Sequence, residues 1–249
     1  MNEQGVSCIT HRACTGLYYE GLPIHAAPGV PEDAIALLLD HLRPPARILE
    51  LGAGSGAFTK RLLEPGFDVE AADLDPTGWP HEHVPLHVVD LNTGPWPFAD
   101  AAYDGIVAVE VIEHLENPSS FLRNARRHLR PGGTLLLTTP NVVSLASRRA
   151  LVLRETLAFF GPGILFSGGH RHRSILPWWL LSDLLRAEGW DLVGLAFIGR
   201  QPFVLLPGRP WWKRLVTPLV DLALLAVRRS IPREAAFTTA VAVVARPEA

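Results

Sequence analysis

Five short apolar runs between Arg47 and Thr139 alternate with helix-like segments, and that alternation constrains the fold more than any other feature of the chain. The runs are Arg47–Leu51 (RILEL), Asp68–Asp73 (DVEAAD), Leu86–Asp90 (LHVVD), Tyr103–Val109 (YDGIVAV) and Thr134–Thr139 (TLLLTT). Each is short for a helix, and the first, fourth and fifth are nearly continuous in apolar residues, as befits strands covered on both faces. Phe58–Leu63 and Pro118–Leu129 read as helices between them, the second stopped by Pro131-Gly132-Gly133. Pro31–Arg43 opens with proline and two acids, carries apolar positions at helical spacing, and ends at Pro44-Pro45. This rhythm predicts an α/β fold, a mainly parallel sheet with helices on both faces.

After Pro140 the rhythm changes. Val142–Phe160 reads as a helix, followed by a glycine-rich loop that holds His170, Arg171, His172 and Arg173. Pro177–Glu188 reads as another helix, Trp190–Ile198 as a sixth strand and Ala236–Ala245 as a seventh. Between those strands lies a stretch rich in Pro, Trp and Arg. At 249 residues the chain suits one domain with insertions.

The formal charge of -2 supplies no global basic field, which argues against a dedicated nucleic-acid binder. Two cysteines, Cys8 and Cys14, give neither a disulfide framework nor a zinc knuckle, so a reduced, cytoplasmic setting is the expectation. The start MNEQGVSCIT has no apolar core of a secretory signal. Leu215–Val227 contains Pro218 and Asp221 and falls short of the roughly 20 residues that a bilayer span needs. With Trp211, Trp212, Lys213, Arg214, Arg228 and Arg229 around it, residues 211–229 suit a peripheral membrane contact, a cover over a greasy ligand, or a helix packed on the core or on a second subunit.

The turn Glu50-Leu-Gly-Ala-Gly-Ser-Gly56 sets Gly52, Gly54 and Gly56 between a strand and a helix, where glycine permits tight backbone geometry and close approach of a ligand to amide groups. Asp73 follows 17 positions after Gly56, close to the roughly 20 at which an acid meets a ribose hydroxyl in nucleotide-binding α/β folds. Asp75 competes for that role. Asp90, at the end of the third run, can accept from an exocyclic adenine amine; the alternative for each acid is a helix cap or a solvated turn.

These residues resemble the class I S-adenosylmethionine-dependent methyltransferases. ILELGAGSG is similar to their first motif, YDGIVAVEVIEHL to their fourth-strand segment and LRPGGTLLLTTPN to the segment holding the fifth strand. The likeness is strong over Arg47 to Asn141 and looser to Ile198. It implies a Rossmann-like, doubly wound seven-stranded sheet with one antiparallel strand, Ala236–Ala245. It implies S-adenosyl-L-methionine as cofactor, bound by Glu50, Gly52, Ala53, Gly54, Gly56, Asp73, Leu74, Asp90, Leu91 and Glu110. A dehydrogenase is disfavoured because the glycines read G-x-G-x-G. The single domain 1–249 then divides into an N-terminal lid and helix (1–45, with Tyr18, Tyr19 and His25 over the cofactor), a cofactor-binding core (46–141), a substrate lid (142–176) and an apolar and basic insertion (200–233).

EVIEHL, Glu110 to Leu115, puts two carboxylates and an imidazole where a buried strand ends. In a helical turn starting near Glu110, Glu110, Glu113 and His114 share one face. Such a set suits Mg²⁺ or another divalent cation, with His170 or His172 as a further ligand. The cluster resembles the quinone-biosynthesis O-methyltransferases and the small-RNA 2'-O-methyltransferases, whose ligands form a Glu-x-x-Glu-His group plus a later His. Pocket lining without metal is the alternative. The candidate catalytic residues are therefore His114, Glu113, His170 and His172, and the candidate metal ligands Glu110, Glu113, His114 and His170. The expected reaction is O-methylation of an apolar small molecule, such as a phenolic, prenylated or polyketide-like compound or a lipid-linked sugar. RNA 2'-O-methylation and a non-catalytic, membrane-peripheral cofactor-binding subunit are the alternatives; the oligomeric state is unknown.

Overall fold

A computed structural model of the protein describes residues 18–161, 172–199 and 234–248, together with Leu222 and Leu224. The described chain runs β1 (Tyr18–Tyr19), β2 (Leu22–Pro23), α1 (Val30–His41), β3 (Arg47–Leu51), α2 (Ala57–Leu63), β4 (Asp68–Asp73), β5 (Leu86–Val88) and β6 (Tyr103–Val109). It continues through a 3-10 turn (Ile112–His114), α3 (Pro118–His128), β7 (Leu129–Pro140), α4 (Leu145–Arg154), α5 (Trp178–Ala187), β8 (Trp190–Ile198) and β9 (Ala240–Pro247).

Side chains alternate across the strands, so the central strands of the large sheet feed two separate cores. Leu49 and Leu51 of β3, Ile106 and Ala108 of β6, and Leu135 and Leu137 of β7 belong to one core, with Phe121, Leu122 and Ala125 of α3 and Leu181 and Leu185 of α5. Ile48, Val107 and Leu136, one residue out of phase, enter the other core with Val30, Ala34 and Leu38 of α1 and Phe58 and Leu62 of α2. Full burial of a Leu or Phe side chain contributes about 1.5–3 kcal/mol, so the apolar stripes hold the helices on. Local signals set their ends: Asn117 caps α3 by accepting from Ser120 N at 3.0 Å with Pro118 at the first helical position, and Arg126, Arg127 and His128 occupy its last turn.

The sheet order is β5-β4-β3-β6-β7-β9-β8, parallel except for β9, which pairs antiparallel with β7 (Leu135↔Ala245) and with β8 (Ile198↔Ala240). Strand order reverses between β3 and β6. The carboxyl edge at that switch point is where ligands enter open α/β sheets, and it carries the glycine turn, Asp73, Glu110 and Asn141.

Five expectations need correction. The fifth strand starts at Leu129 rather than Thr134 and takes in Pro131-Gly132-Gly133, so the preceding helix ends at His128. The third strand ends at Val88, so Asp90 sits in the following turn. The helix after Pro140 is shorter, Leu145–Arg154, because Glu155 takes a left-handed conformation (φ 57°) that ends it. The last strand is shifted to Ala240–Pro247, and Ala236 lies in a 3-10 turn. No helix begins at Glu110: its φ of 56° breaks the path, and a 3-10 turn starts only at Ile112. No helix among the described residues is long and apolar enough to cross a membrane.

Candidate functional site

Gly52, Gly54 and Gly56 all have positive φ (75°, 54° and 77°). A Cβ at Gly52 would lie 2.5 Å from Val111 Cγ2 and one at Gly56 2.7 Å from the His81 ring, so neither site has room for a side chain. Gly52 N and Ala53 N both donate to the Ala72 carbonyl, at 2.7 and 3.1 Å. Gly54 N donates to Asp73 Oδ2 at 2.7 Å, and Asp75 N donates to Asp73 Oδ1 at 3.0 Å. Asp73 thus braces the glycine turn, and each of its oxygens keeps a second lone pair for a ligand hydroxyl. Asp75 is instead occupied by Thr77 N at 2.9 Å.

Glu50 lies below the turn, 4% exposed, and accepts from Thr59 Oγ1 at 2.6 Å. Burial pushes its carboxyl up to about 8. Glu50, Gly52, Ala53, Gly54, Ile24 and His25 share one cleft. The N-terminal hairpin closes its flank: Ser55 Oγ donates to the Pro23 carbonyl at 2.5 Å, and Tyr19 pairs with Glu64. Asp90 accepts from Asn92 N at 2.9 Å, Leu74 is exposed, and Leu91 packs half-buried on the first core.

Across the switch point, Thr138 and Thr139 at the end of β7 order the acids of EVIEHL. Thr138 Oγ1 donates to Glu110 Oε1 at 2.8 Å and accepts from Glu110 N at 2.9 Å. Thr139 Oγ1 donates to Glu113 Oε2 at 3.1 Å. Glu113 is fully buried, and its Oε1 has no hydrogen-bond partner among the described residues. Burial raises the Glu110 and Glu113 carboxyls above the usual carboxylate range, and the neighbouring Glu110 charge raises Glu113 further. Two buried acids this close favour a positive counterpart.

His172 supplies the third corner. Its Nδ1 lies 2.8 Å from the Phe159 carbonyl; a carbonyl only accepts, so Nδ1 carries the proton and Nε2 the lone pair. Burial lowers its pKa, which keeps the ring neutral at pH 7. The ring meets His114 edge-on at 4.7 Å. The chain around His172 is anchored on the 3-10 turn, since Arg173 N and Ser174 N donate to the Glu113 carbonyl at 2.7 and 2.9 Å and Ser174 Oγ to the Leu115 carbonyl at 2.8 Å. Glu113, His114 and His172 can bring one ligand atom each within 4.8 Å of one another. An orphaned carboxylate oxygen and a lone pair on Nε2 fit a divalent cation. Glu110 lies beside this trio without joining it, and His170 lies outside the described residues. The sequence reading missed Thr59, Thr138 and Thr139, and a Thr-Thr pair at the end of the fifth strand was the one signal for the latter two.

A glycine cradle braced by an acid, opening at the switch point of the β5-β4-β3-β6-β7-β9-β8 sheet, defines an S-adenosylmethionine-dependent methyltransferase, and the glycine positions that a Cβ would fill fit that cofactor. The chain belongs to the methyltransferase domain family, whose model matches residues 24–194. It is 28% identical over 188 residues to the ubiquinone biosynthesis O-methyltransferase of Xanthomonas oryzae pv. oryzae (strain PXO99A), covering 70% of this chain and 75% of that protein. The corresponding enzyme of Xanthomonas axonopodis pv. citri (strain 306) is 25% identical over 193 residues, covering 73% and 77%. Among solved structures, the Burkholderia thailandensis 1,6-didemethyltoxoflavin-N1-methyltransferase with bound S-adenosylhomocysteine shares the fold (TM-score 0.53, 21% identity, 88% and 79% covered). So does the [4+2]-cyclase SpnF (TM-score 0.55, 15% identity, 87% and 81% covered).

Proposed function

We propose that the protein methylates a hydroxyl of an apolar small molecule held against Glu113, His114 and His172. The observation that carries this reading is the convergence of those three side chains at the switch point, with Glu113 Oε1 unpartnered and His172 Nε2 set as the lone-pair nitrogen. S-adenosylmethionine supplies an electrophilic methyl: the acceptor oxygen bonds to carbon as the carbon–sulfur bond breaks, leaving S-adenosylhomocysteine. The glycine turn and Asp73 hold the adenosine side, and Asp90 is the candidate partner of the adenine amine. Alignment is the main contribution such a site makes to displacement chemistry. The hydroxyl proton passes to His172 Nε2, which burial keeps neutral and ready to accept.

As the alternative to that proton transfer, a divalent cation such as Mg²⁺ fits the same trio; when bound it would occupy His172 Nε2 and lower the pKa of a coordinated hydroxyl, whose proton would then leave to solvent. Glu113, His114 and His172 would hold it, with Glu110 adding negative charge alongside. The Xanthomonas relatives are named as O-methyltransferases, which supports oxygen as the nucleophile. The apolar and basic composition of residues 211–229, of which the structure describes only Leu222 and Leu224, supports an apolar acceptor met at a membrane surface. A cytoplasmic location belongs to the same reading.

The test is methyl transfer from labelled S-adenosylmethionine to a panel of catechols, monophenols, amines and short RNAs, with EDTA or Mg²⁺, in wild type and Glu113→Ala. Catechol O-methylation lost in the variant is expected. Turnover of amines alone, or salt-sensitive turnover of RNA alone, sinks the reading.

A further inference from the structure

Arg61 lies in the second turn of α2 and lines the cleft beside the glycine turn. It is 6% exposed, and a guanidinium gives up much of its hydration when it is buried that far. Its partners explain part of the burial. Nη1 donates to the Ala57 carbonyl at 3.1 Å and Nη2 to Glu32 Oε1 at 2.6 Å, which uses two of the five N–H donors that arginine offers. The Tyr19 ring covers one face of the guanidinium, 3.6 Å from its centroid.

Three acids surround Arg61, and each has a different hold on it. Glu32, whose side chain is 56% exposed, is the one ion-pair partner of Arg61 among the described residues and lies at the solvent side of the pair. Glu64 is engaged by the Tyr19 hydroxyl. Glu50, the acid lining the same cleft, is held mainly protonated at neutral pH by burial. Arg61 thus lines the cleft with more N–H donors than these two partners use, and its planar donors match a carboxylate.

S-adenosylmethionine ends in an α-amino acid, with one carboxylate and one ammonium. We propose that Arg61 binds the carboxylate of the cofactor's amino-acid end, with the Tyr19 ring fixing the guanidinium plane. Glu50 on the same cleft is the complementary group for the ammonium and releases its proton when that cation arrives. None of the glycine or acid positions in the first motif supplies this contact, which comes instead from the helix that follows them. The proposal rests on the family's cofactor and is independent of the acceptor.

The experiment compares S-adenosylhomocysteine with its decarboxylated analogue, which keeps the ammonium and loses the carboxylate, by calorimetric titration into wild type, Arg61→Gln and Arg61→Lys. Wild type should prefer the intact ligand by about ten- to a hundred-fold, the range of a charge-assisted hydrogen bond. Arg61→Gln should bind the two ligands nearly alike, and Arg61→Lys should recover part of the preference by keeping a point charge. The ratio is internal to each variant, so a general loss of stability does not imitate the result. An undiminished preference in Arg61→Gln overturns the assignment, as does a wild type that fails to distinguish the ligands. A wild type that binds neither ligand overturns it together with the cofactor reading on which it rests.

Discussion

Gly52→Ala should damage the protein through two separable effects. At φ 75° a Cβ costs roughly 1–2 kcal/mol through the left-handed backbone alone. The new atom would lie 2.5 Å from Val111 Cγ2, and Val111 is only 8% exposed, so it cannot simply swing into water. Overpacking of that kind costs typically about 1–3 kcal/mol, and the two effects together predict a loss of about 2–5 kcal/mol. Val111→Ala alone removes two methyl groups and should cost about 1.5 kcal/mol at ~0.8 kcal/mol per carbon. In the double variant the truncated side chain makes room for the new Cβ while the backbone cost remains. The pair should therefore lose about 1–3 kcal/mol less than the sum of the singles. Urea unfolding followed by far-ultraviolet circular dichroism measures all four corners, with S-adenosylhomocysteine titration as a check on the cradle. The reasoning fails if Gly52→Ala costs less than about 1 kcal/mol or if the two substitutions are additive.

Glu50 sits at about 8 in the folded protein, so the fold binds a proton that the unfolded chain releases near pH 4.5; its contribution to stability should be complete below that pH and fade as pH rises through 8. Melting curves of wild type and Glu50→Gln from pH 5 to 9 should diverge in that sense, and parallel curves would refute it. Thr139→Val removes the donor to Glu113 Oε2 and should weaken cation binding about ten-fold or more, with rescue by Thr139→Ser; calorimetry with Mg²⁺ or Mn²⁺ reads it, and unchanged affinity would remove Thr139 from the site. His172→Ala should lower turnover by about a hundred-fold or more, while His170→Ala should spare it; equal losses would mean that the Phe159 contact does not select the loop histidine. Tyr103→Phe deletes a 2.9 Å hydrogen bond to Glu70 at the opposite edge of the sheet and should cost about 0.5–1.5 kcal/mol of stability with turnover intact, as parallel urea and activity assays would show.

The strands were legible because burial on both faces demands apolar runs, and every strand of the large sheet falls within a few residues of its run. Legibility fell where a long-range partner decides the backbone. Glu110 reads as a helix start because its neighbours have helical spacing, yet its left-handed conformation is held by Thr138, 28 residues later. Asp90 reads as the last residue of a strand, but its carboxylate satisfies Asn92 and closes the turn. The loop histidines are indistinguishable in sequence. What assigns His172 to the cluster is a carbonyl at Phe159, itself at a φ of 68°, and no local pattern encodes that. Arg61 looked like any helix arginine until Tyr19 and the cleft gave it surroundings.

The position of β9 bears on how the protein is made. Residues 240–247 come after β8 in the chain and yet lie between β7 and β8. During synthesis the free edge of β7, which ends at Pro140, must therefore wait until its neighbour, which begins only at Ala240, emerges. Until then TLLLTT presents unpaired backbone groups, and AVAVVA is itself an uncharged, β-prone segment of the kind that seeds aggregation when exposed. Asn141 donates to the Ala235 and Thr238 carbonyls, at 2.7 and 3.4 Å, so the wall beside Glu113 is finished in the same late step. Ribosome-bound chains that stop short of residue 240 should hence be chaperone clients that cannot yet present a complete acceptor site.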